Sequence, residues 1–353
     1  MKKGRKKFII IGGIILVFLF GALITVVKNK LVSSEYEQLS AVDRKMLAEY
    51  DQLYGEMKTK ELWDGFHLEE KPILAVSKDS FDTYLIDPQI SHGHLLSQKI
   101  TMPEAFQLQS VYRIAPVAPQ VLKIRLDVAS NFNTLGQIYP VFGNDVYFMK
   151  YSDQESFEKP NASLHFTPFL AHEAFHYYMQ NEWKILERPE NGLTDRDITL
   201  LKEQYQLLDD INAELQSQKS HEKLISCAKQ YIDVVSKRIE SNREYVLSEL
   251  SHETAEGTAQ YLTIKASKLV GYDYGIMYFD NVKNVPMSDV FDQIDAGNIS
   301  LDYLYNQMPY QIGASLCFLF DELDIPDWQQ KLNSQTLEQP INLYDILKDY
   351  LLG

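Results

Sequence analysis

Residues 8–27 form a run of twenty consecutive residues without a charged side chain, FIIIGGIILVFLFGALITVV. A helix of this length rises about 30 Å, which is about the thickness of a bilayer core. Five basic residues precede the run and two follow it closely, so the positive charge predicts an N-terminus on the cytoplasmic side. The sequence therefore predicts a single-pass protein of the cell membrane, with a cytoplasmic tail over 1–7, a transmembrane helix over 8–27 and an extracytoplasmic remainder. A cleaved signal peptide is the alternative, but this run is longer than is usual for one.

The rest of the chain is acidic. The 353 residues carry a formal charge of −15, but the first 30 hold seven basic side chains and no acid, which leaves −22 on residues 31–353. So acidic a surface repels phosphate backbones, and no basic run interrupts it. The sequence therefore predicts that the chain has no nucleic-acid partner. An apolar fraction of 45% is ordinary for a packed globular protein.

Two regions follow the apolar run. Residues 28–62 carry apolar side chains at intervals of three and four, which predicts an amphipathic helix that forms a stalk or lies against the main domain. Residues 63–353 are predicted to form one α+β domain, β-rich over 70–166 and helical over 167–353. Short β-branched and aromatic runs in the first part predict a largely antiparallel sheet. These runs are PILAVS, FDTYLI, QVLKIRLDV, GQIYPVF and DVYFMKY.

The helical part opens on a start signal. Thr167, followed by a proline, predicts an N-cap and a first turn for a helix that runs to about residue 183. Further helical patterns cover 195–217 and 221–269, the second with a break near residue 241.

The two cysteines, Cys227 and Cys317, lie far apart in the chain. An oxidising compartment would allow them to pair. Both stand among apolar residues in stretches with a helical pattern, which favours two separate buried thiols.

Residues 172–176 read His-Glu-Ala-Phe-His and match the pattern H-E-x-x-H. In a helix, positions i and i+4 lie one turn apart on the same face, so His172 and His176 can bind one ion. Zinc favours four ligands, takes imidazole nitrogen and keeps a water in catalytic sites. Glu173 stands beside the first ligand, where its carboxylate can accept a proton from that water. The motif therefore predicts a hydrolytic Zn²⁺ site, and a polar helix face with two unrelated histidines is the alternative.

A third protein ligand is required, and residues 249–261, ELSHETAEGTAQY, supply most of the candidates. They are Glu249, His252, Glu253 and Glu256, because zinc accepts either carboxylate oxygen or imidazole nitrogen. The three glutamates share one face of a predicted helix, so one can bind the metal while another orients a ligand. For the remaining acids, a solvated helix face is the alternative.

Together the two motifs resemble those of the gluzincins, zinc peptidases with H-E-x-x-H on one helix and a ligating glutamate on a later one. Glu256-Gly257-Thr258-Ala259, followed by Tyr261, is similar to the E-G-x-A element of membrane alanyl aminopeptidase-like and bacterial collagenase-like enzymes. The resemblance implies Glu256 as the third ligand, with Glu253 as the second choice. Eighty positions separate His176 from Glu256, which is more than in thermolysin-like enzymes, and an inserted helical hairpin over 185–240 would account for the difference.

The resemblance also implies a zincin-like fold and a peptide or protein substrate. In such folds an extended substrate pairs with an edge strand that precedes the zinc helix, and DVYFMKY or ASLHF would be that strand. Related enzymes stabilise the oxyanion with a tyrosine or a histidine. Tyr261, Tyr310 and His252 are the candidates, and core packing is the alternative for each tyrosine. The G-x-M-E-N signature of the aminopeptidases is absent, so exopeptidase activity is not implied.

Three functions fit this sequence. The leading hypothesis is a membrane-anchored, extracytoplasmic zinc peptidase with Glu173 as the general base. A non-catalytic domain that binds zinc or a peptide is the second, although a binding site has no need of a base beside the metal. A zinc hydrolase of non-peptide amides, such as cell-wall links, is the third, because the same activated water attacks any amide carbonyl.

Overall fold

The computed structural model describes residues 33–90, 94–158, 165–190, 192–217, 220–277 and 282–353, together with 21, 23–27 and 29–31. These residues form a mixed α/β protein. The chain divides into two compact units, each built from two pieces of sequence. We call residues up to 60 with 67–158 the N-terminal unit, and residues 61–66 with 159–353 the helical unit.

The predicted N-terminal transmembrane helix is not supported. Residues 1–7, 8–20 and 22 lie outside the described residues. Within the described ranges, no helix combines the length and the apolar character that crossing a bilayer requires. The longest helix there, Arg243–Leu269, has 27 residues but carries seven charged side chains, and a membrane span tolerates few. The fold class and the single-pass localisation predicted above are corrected accordingly.

From residue 33 onward, the described part of the N-terminal unit contains a five-stranded sheet, a two-stranded sheet and two α-helices. The helices are α1 (Ala41–Met57) and α2 (Pro119–Leu126), and the strands are β1 (Ile73–Ser77), β2 (Thr83–Ile86), β3 (Ser97–Lys99), β4 (Val111–Ile114), β5 (Pro140–Val141), β6 (Asn144–Asp145) and β7 (Tyr147–Tyr151). The larger sheet has the order β3-β4-β2-β1-β7, and β5 pairs with β6. In the larger sheet β1 pairs with β7 in parallel, and the other pairings are antiparallel. The prediction of a largely antiparallel sheet is confirmed.

Helix α1 lies against the sheet of its own unit. Three of its apolar side chains, Met46, Leu47 and Leu53, are fully buried. The buried Asp43 carboxylate accepts hydrogen bonds from the hydroxyls of Tyr84 on β2 and Tyr151 on β7. Of the two arrangements considered for residues 28–62, the described part therefore adopts the packed one rather than a free stalk.

The run QVLKIRLDV forms helix α2, so its prediction as a strand was wrong. The helix has a proline in its first turn, where the fixed φ angle and the missing N–H are both tolerated. Val121 and Ile124, three positions apart, are buried in one cluster with residues of β1, β2 and β7. Leu122 and Leu126 are exposed. The burial follows the helical period rather than the alternation of a strand.

Strand β7 carries the DVYFMKY run and closes one side of the larger sheet. Its outer edge is already hydrogen-bonded by residues 131–133 of the same unit. The Lys150 N–H donates to the Asn131 carbonyl at 2.7 Å, and the Phe148 N–H donates to Asn133 Oδ1 at 2.8 Å. The edge strand that the resemblance implies for peptide pairing is therefore covered here. The other candidate, ASLHF, falls largely on residues 162–164, which lie outside the described residues.

The helical unit is built from α3 (Phe166–Met179), α4 (Asp195–Gln216), α5 (His221–Ser241), α6 (Arg243–Leu269), α7 (Asp289–Asp295), α8 (Tyr303–Asn306), α9 (Met308–Glu322), α10 (Trp328–Asn333) and α11 (Leu343–Leu352). The predicted break near residue 241 is confirmed, since α5 and α6 meet at Asn242. Helix α3 begins at Phe166 with His165 as N-cap, so Thr167 lies inside the helix instead of capping it. Cys227 and Cys317 are buried free thiols, as predicted.

Helices α6 and α9 pack backbone to backbone at two glycines. A Cβ atom placed on Gly257 would lie 2.3 Å from the Cα of Gly313, and one placed on Gly313 would lie 1.9 Å from the carbonyl oxygen of Glu253. No side chain larger than hydrogen fits at that separation. This contact fixes α9 against the part of α6 that carries Glu256.

An aromatic cluster packs around Trp63 in the interior of the helical unit. This side chain belongs to the short segment 61–66 and is fully buried. Its ring packs edge-on against Phe175 and Trp328, with centroids 4.9 and 5.1 Å apart. Its indole N–H donates to Asn333 Oδ1 at 2.8 Å. Phe175 is one residue before His176, so the cluster supports the buried side of α3.

Candidate metal centre

The structure brings together His172 and His176 from α3 and Glu256 from α6. The two histidines occupy consecutive turns of one face of α3, and α6 crosses that face. His172 is buried, with 7% of its surface exposed, and the side chains of His176 and Glu256 are partly exposed. The cluster is therefore largely buried, with His176 and Glu256 partly accessible to solvent.

The separations of the three candidate ligand atoms match those around a tetrahedral zinc ion. Ligands at about 2.0–2.1 Å in a tetrahedron lie about 3.3 Å from one another. The Nε2 atoms of His172 and His176 are 3.1 Å apart. Glu256 Oε2 lies 3.2 Å from the His176 Nε2 and 3.6 Å from the His172 Nε2. The donor set, two imidazole nitrogens and one carboxylate oxygen, is one that catalytic zinc sites use.

The Nδ1 side of the His172 ring, which faces away from the cluster, is hydrogen-bonded to α6. His172 Nδ1 lies 2.9 Å from the Thr263 hydroxyl oxygen, and that hydroxyl donates to the Ala259 carbonyl. Because the hydroxyl proton is used there, the hydroxyl accepts from His172 Nδ1–H. In the neutral ring the Nε2 lone pair then points into the cluster.

The His176 ring is held in the same way by Gln180. His176 Nδ1 lies 2.5 Å from Gln180 Oε1. The amide nitrogen of Gln180 donates to the Ala255 carbonyl and to the Thr258 hydroxyl, at 2.9 and 2.8 Å. These two acceptors fix the orientation of the amide, so its oxygen accepts from His176 Nδ1–H. The Nε2 lone pair of His176 also points into the cluster.

Three acceptor atoms thus face one another without a donor between the two rings. Two imidazole lone pairs and a carboxylate oxygen within 3.1–3.6 Å repel one another unless a cation or a shared proton lies among them. When a proton rather than a metal lies among the three atoms, an imidazole Nε2–H donates to Glu256. That hydrogen bonding outweighs the effect of burial and holds the pKa of Glu256 well below its usual range. The carboxylate is therefore ionised and ready to bind a cation.

Glu173 lies beside this cluster and is not one of its three members. Burial raises the pKa of its carboxyl to about 7, with the charge of Glu256 adding to the increase and that of His176 opposing it. A carboxyl with a pKa near neutrality exchanges protons readily at that pH. Its position next to His172 and its titration range both suit a general base.

Of the two tyrosine candidates, the structure places Tyr310 at the cluster. Its ring stacks on that of His172 with an interplanar angle of 10° and centroids 5.9 Å apart, and its hydroxyl lies near the Glu256 carboxylate. Burial, followed by the Glu256 charge, raises the pKa of Tyr310, so the hydroxyl keeps its proton. Tyr310 lies one turn before Gly313, and the glycine contact described above thus brings it to the site.

Tyr261 lies elsewhere, in the apolar interior. Its ring packs against Trp63 and Phe318, and its hydroxyl donates to Asp321 Oδ2 at 2.6 Å and accepts from Lys265. A hydroxyl engaged in this way is not free to serve an oxyanion at the cluster.

The rival metal ligands also face away from the cluster. Glu249 forms a buried ion pair with Arg238 of α5. Glu253 is 1% exposed, and neither of its carboxyl oxygens has a hydrogen-bond partner. Burial and the charge of Glu249 raise the pKa of Glu253 well above its usual range. His252 bonds to the Ser248 carbonyl and contacts Tyr305.

Two residues of the site escaped the sequence argument, Gln180 and Thr263. Gln180 stands four positions after His176, and Thr263 stands seven positions after Glu256, so each shares a helix face with a candidate metal ligand. That spacing is the signal that could have indicated them. Buried glutamine and threonine have other common roles, so the spacing alone would not have identified them.

The architecture and the cluster can be compared with those of known proteins. No family model matches the chain, and neither the curated proteins nor the solved structures contain a match to it.

Proposed function

We propose that the chain is a zinc-dependent hydrolase of peptide bonds, with His172, His176 and Glu256 as the metal ligands and Glu173 as the general base. One observation carries this proposal. Two imidazole lone pairs and one ionised carboxylate converge with the spacing of a tetrahedral zinc site, and a glutamate with a pKa of about 7 stands next to them.

The residues divide the chemical work. Zinc bound by the three ligands would supply Lewis acidity and lower the pKa of a water molecule. Glu173 accepts the proton of the attacking water, as the raised pKa of its carboxyl allows. The protonated hydroxyl of Tyr310 donates a hydrogen bond to the oxygen of the scissile carbonyl as negative charge develops on it. Thr263 and Gln180 keep both Nε2 lone pairs directed at the metal.

The ligand assignment predicts that the purified full-length chain binds about one zinc ion. We expect zinc to be nearly absent from His172→Ala and Glu256→Ala, because each removes one of the three ligand atoms. Elemental analysis after dialysis against a weak chelator measures the stoichiometry. Glu253→Gln and His252→Gln are the matched controls, since both side chains face away from the cluster. Zinc lost from Glu253→Gln but retained by Glu256→Ala would overturn the assignment.

The role of Tyr310 predicts a second result. Tyr310→Phe is expected to lower kcat by about 10²–10³-fold, the usual cost of losing one oxyanion donor, with little change in KM. A fluorogenic peptide selected from an unbiased library gives both constants, and each is normalised to bound zinc. Tyr261→Phe is the control, because its hydroxyl serves Asp321 and Lys265 instead. Equal kcat values for Tyr310→Phe and wild type would remove Tyr310 from the mechanism.

The same library distinguishes the alternatives. Cleavage of peptides supports the proposal, whereas cleavage confined to cell-wall amides would make the chain a zinc amidase. A chain that holds zinc and cleaves neither would be a binding domain.

A further inference from the structure

Helix α6 contributes more to the cluster than its one ligand. Thr263, the partner of the His172 ring, lies on this helix with Glu256. So do Ala255 and Thr258, which anchor Gln180, the partner of the His176 ring. Thr263 receives the His172 Nδ1–H directly. Gln180 accepts a hydrogen bond from His176 Nδ1–H, and its amide nitrogen donates to the Ala255 carbonyl and to the Thr258 hydroxyl.

We propose that Gln180 and Thr263 are positioning residues that lock both histidines in the Nδ1–H tautomer and thereby hold α3 and α6 in register for one metal ion. The inference rests on the proposed metal ligands, but it concerns the protonation pattern of the rings, which exists without metal and without substrate. It goes beyond the motif, because neither residue belongs to H-E-x-x-H or to E-G-x-A.

Gln180 is suited to this role because its amide cannot be turned around. It is buried, with 3% of its surface exposed. In the observed orientation its nitrogen faces two acceptors, the Ala255 carbonyl and the Thr258 hydroxyl, whose own proton is donated to the Thr254 carbonyl. A flipped amide would place its oxygen against these acceptors and its nitrogen against the His176 Nδ1–H, and both contacts would be repulsive. The glutamine therefore accepts only from a ring that carries its proton on Nδ1.

Thr263 meets the same requirement with a single atom. Its hydroxyl proton is used by the Ala259 carbonyl at 2.9 Å, one turn earlier on the same helix. The remaining lone pairs can only accept, so His172 must present Nδ1–H. A serine would retain this geometry, whereas a valine of the same shape would remove it.

Nuclear magnetic resonance of the ¹⁵N-histidine-labelled, metal-free chain tests the proposal. We expect long-range nitrogen–proton spectra to show a proton on Nδ1 of both His172 and His176 in wild type, so that any ring nitrogen without a proton is an Nε2. Gln180→Met is expected to release only His176 into a mixture of tautomers, and Thr263→Val to release only His172. Thr263→Ser is the matched control and should resemble wild type.

Zinc affinity gives the second readout. Removing a partner of a metal-bound histidine typically costs 10–100-fold in affinity, so we expect about that loss in Gln180→Met and Thr263→Val, measured by chelator competition. With cobalt in place of zinc, the visible absorption bands should also shift in these two variants and stay unchanged in Thr263→Ser.

An Nδ1 without a proton on either ring of the wild-type chain would overturn the inference outright, even if both variants failed to fold. Wild-type tautomer spectra in Gln180→Met and Thr263→Val would overturn it as well. A failure of the proposed function would give a different result. The histidine spectra of wild type and variants would then be as expected above, but the zinc-loaded chain would cleave no peptide.

Discussion

Replacing Glu173 with glutamine is expected to leave zinc binding intact and to lower peptide hydrolysis by up to about 10⁴-fold, the upper range for loss of a general base. Glutamine has the shape of glutamate and is not a proton acceptor at neutral pH. Because Glu173 is not among the three ligand atoms, the metal should remain. The variant therefore separates catalysis from binding at the same site.

The measurement is kcat/KM on a peptide cleaved by wild type, with bound zinc determined in the same sample. Glu182→Gln provides the control, since Glu182 is an exposed glutamate in the turn that follows α3. If Glu173→Gln with a full complement of zinc hydrolysed the peptide as fast as wild type, Glu173 would not be the base. If it lost zinc, the carboxylate would have a role in metal binding.

Replacing Gly313 with alanine is expected to destabilise the chain by about 3 kcal/mol, the upper part of the range for overpacking a core. The added methyl carbon would lie 1.9 Å from the Glu253 carbonyl oxygen and 2.7 Å from the Cα of Gly257. Both neighbours are backbone atoms of α6, so no side chain can rotate away to relieve the clash. The helices must separate instead, and Tyr310 would move away from Glu256.

Urea or thermal unfolding of the zinc-free chain measures the destabilisation, and zinc affinity measures the damage to the cluster. Gly192→Ala is the matched control, because a Cβ there meets no atom within 4 Å and its φ angle is not in the left-handed region. A stability of Gly313→Ala equal to that of Gly192→Ala would show that α6 and α9 are not held at this separation.

Several helices and strands of this fold could be predicted from sequence patterns within each segment. The H-E-x-x-H helix, the break between α5 and α6 and strands β1, β2 and β7 all follow from periodicity and from cap or turn residues. Helix α2 was mistaken for a strand because its β-branched residues outweighed the proline at its start. The two short strands β3 and β4 went unpredicted. They pair with each other, and β4 also pairs with β2.

The candidate site also has residues that the sequence could indicate and a residue that only the structure distinguishes. His172, Glu173 and His176 lie within about one turn of helix and could be proposed from the pattern alone. Choosing between Glu253 and Glu256 could not be done by spacing, because α6 is buried on several sides and both residues lie among buried neighbours. The choice depends on what surrounds each carboxyl. Glu256 meets two imidazoles, whereas Glu253 lies in the interior near Arg238.

The membership of residues 61–66 in the helical unit has a consequence for biosynthesis. The indole N–H of Trp63 donates to Asn333, which is 270 positions later in the chain. This hydrogen bond cannot form until Asn333 has been synthesised. At about 5–20 residues per second, translation separates the two by on the order of tens of seconds. The indole is therefore made early and buried late, so the helical unit completes its core only after residue 333 has been synthesised. Any contiguous segment that contains the whole of this unit also contains residues 67–158 of the N-terminal unit.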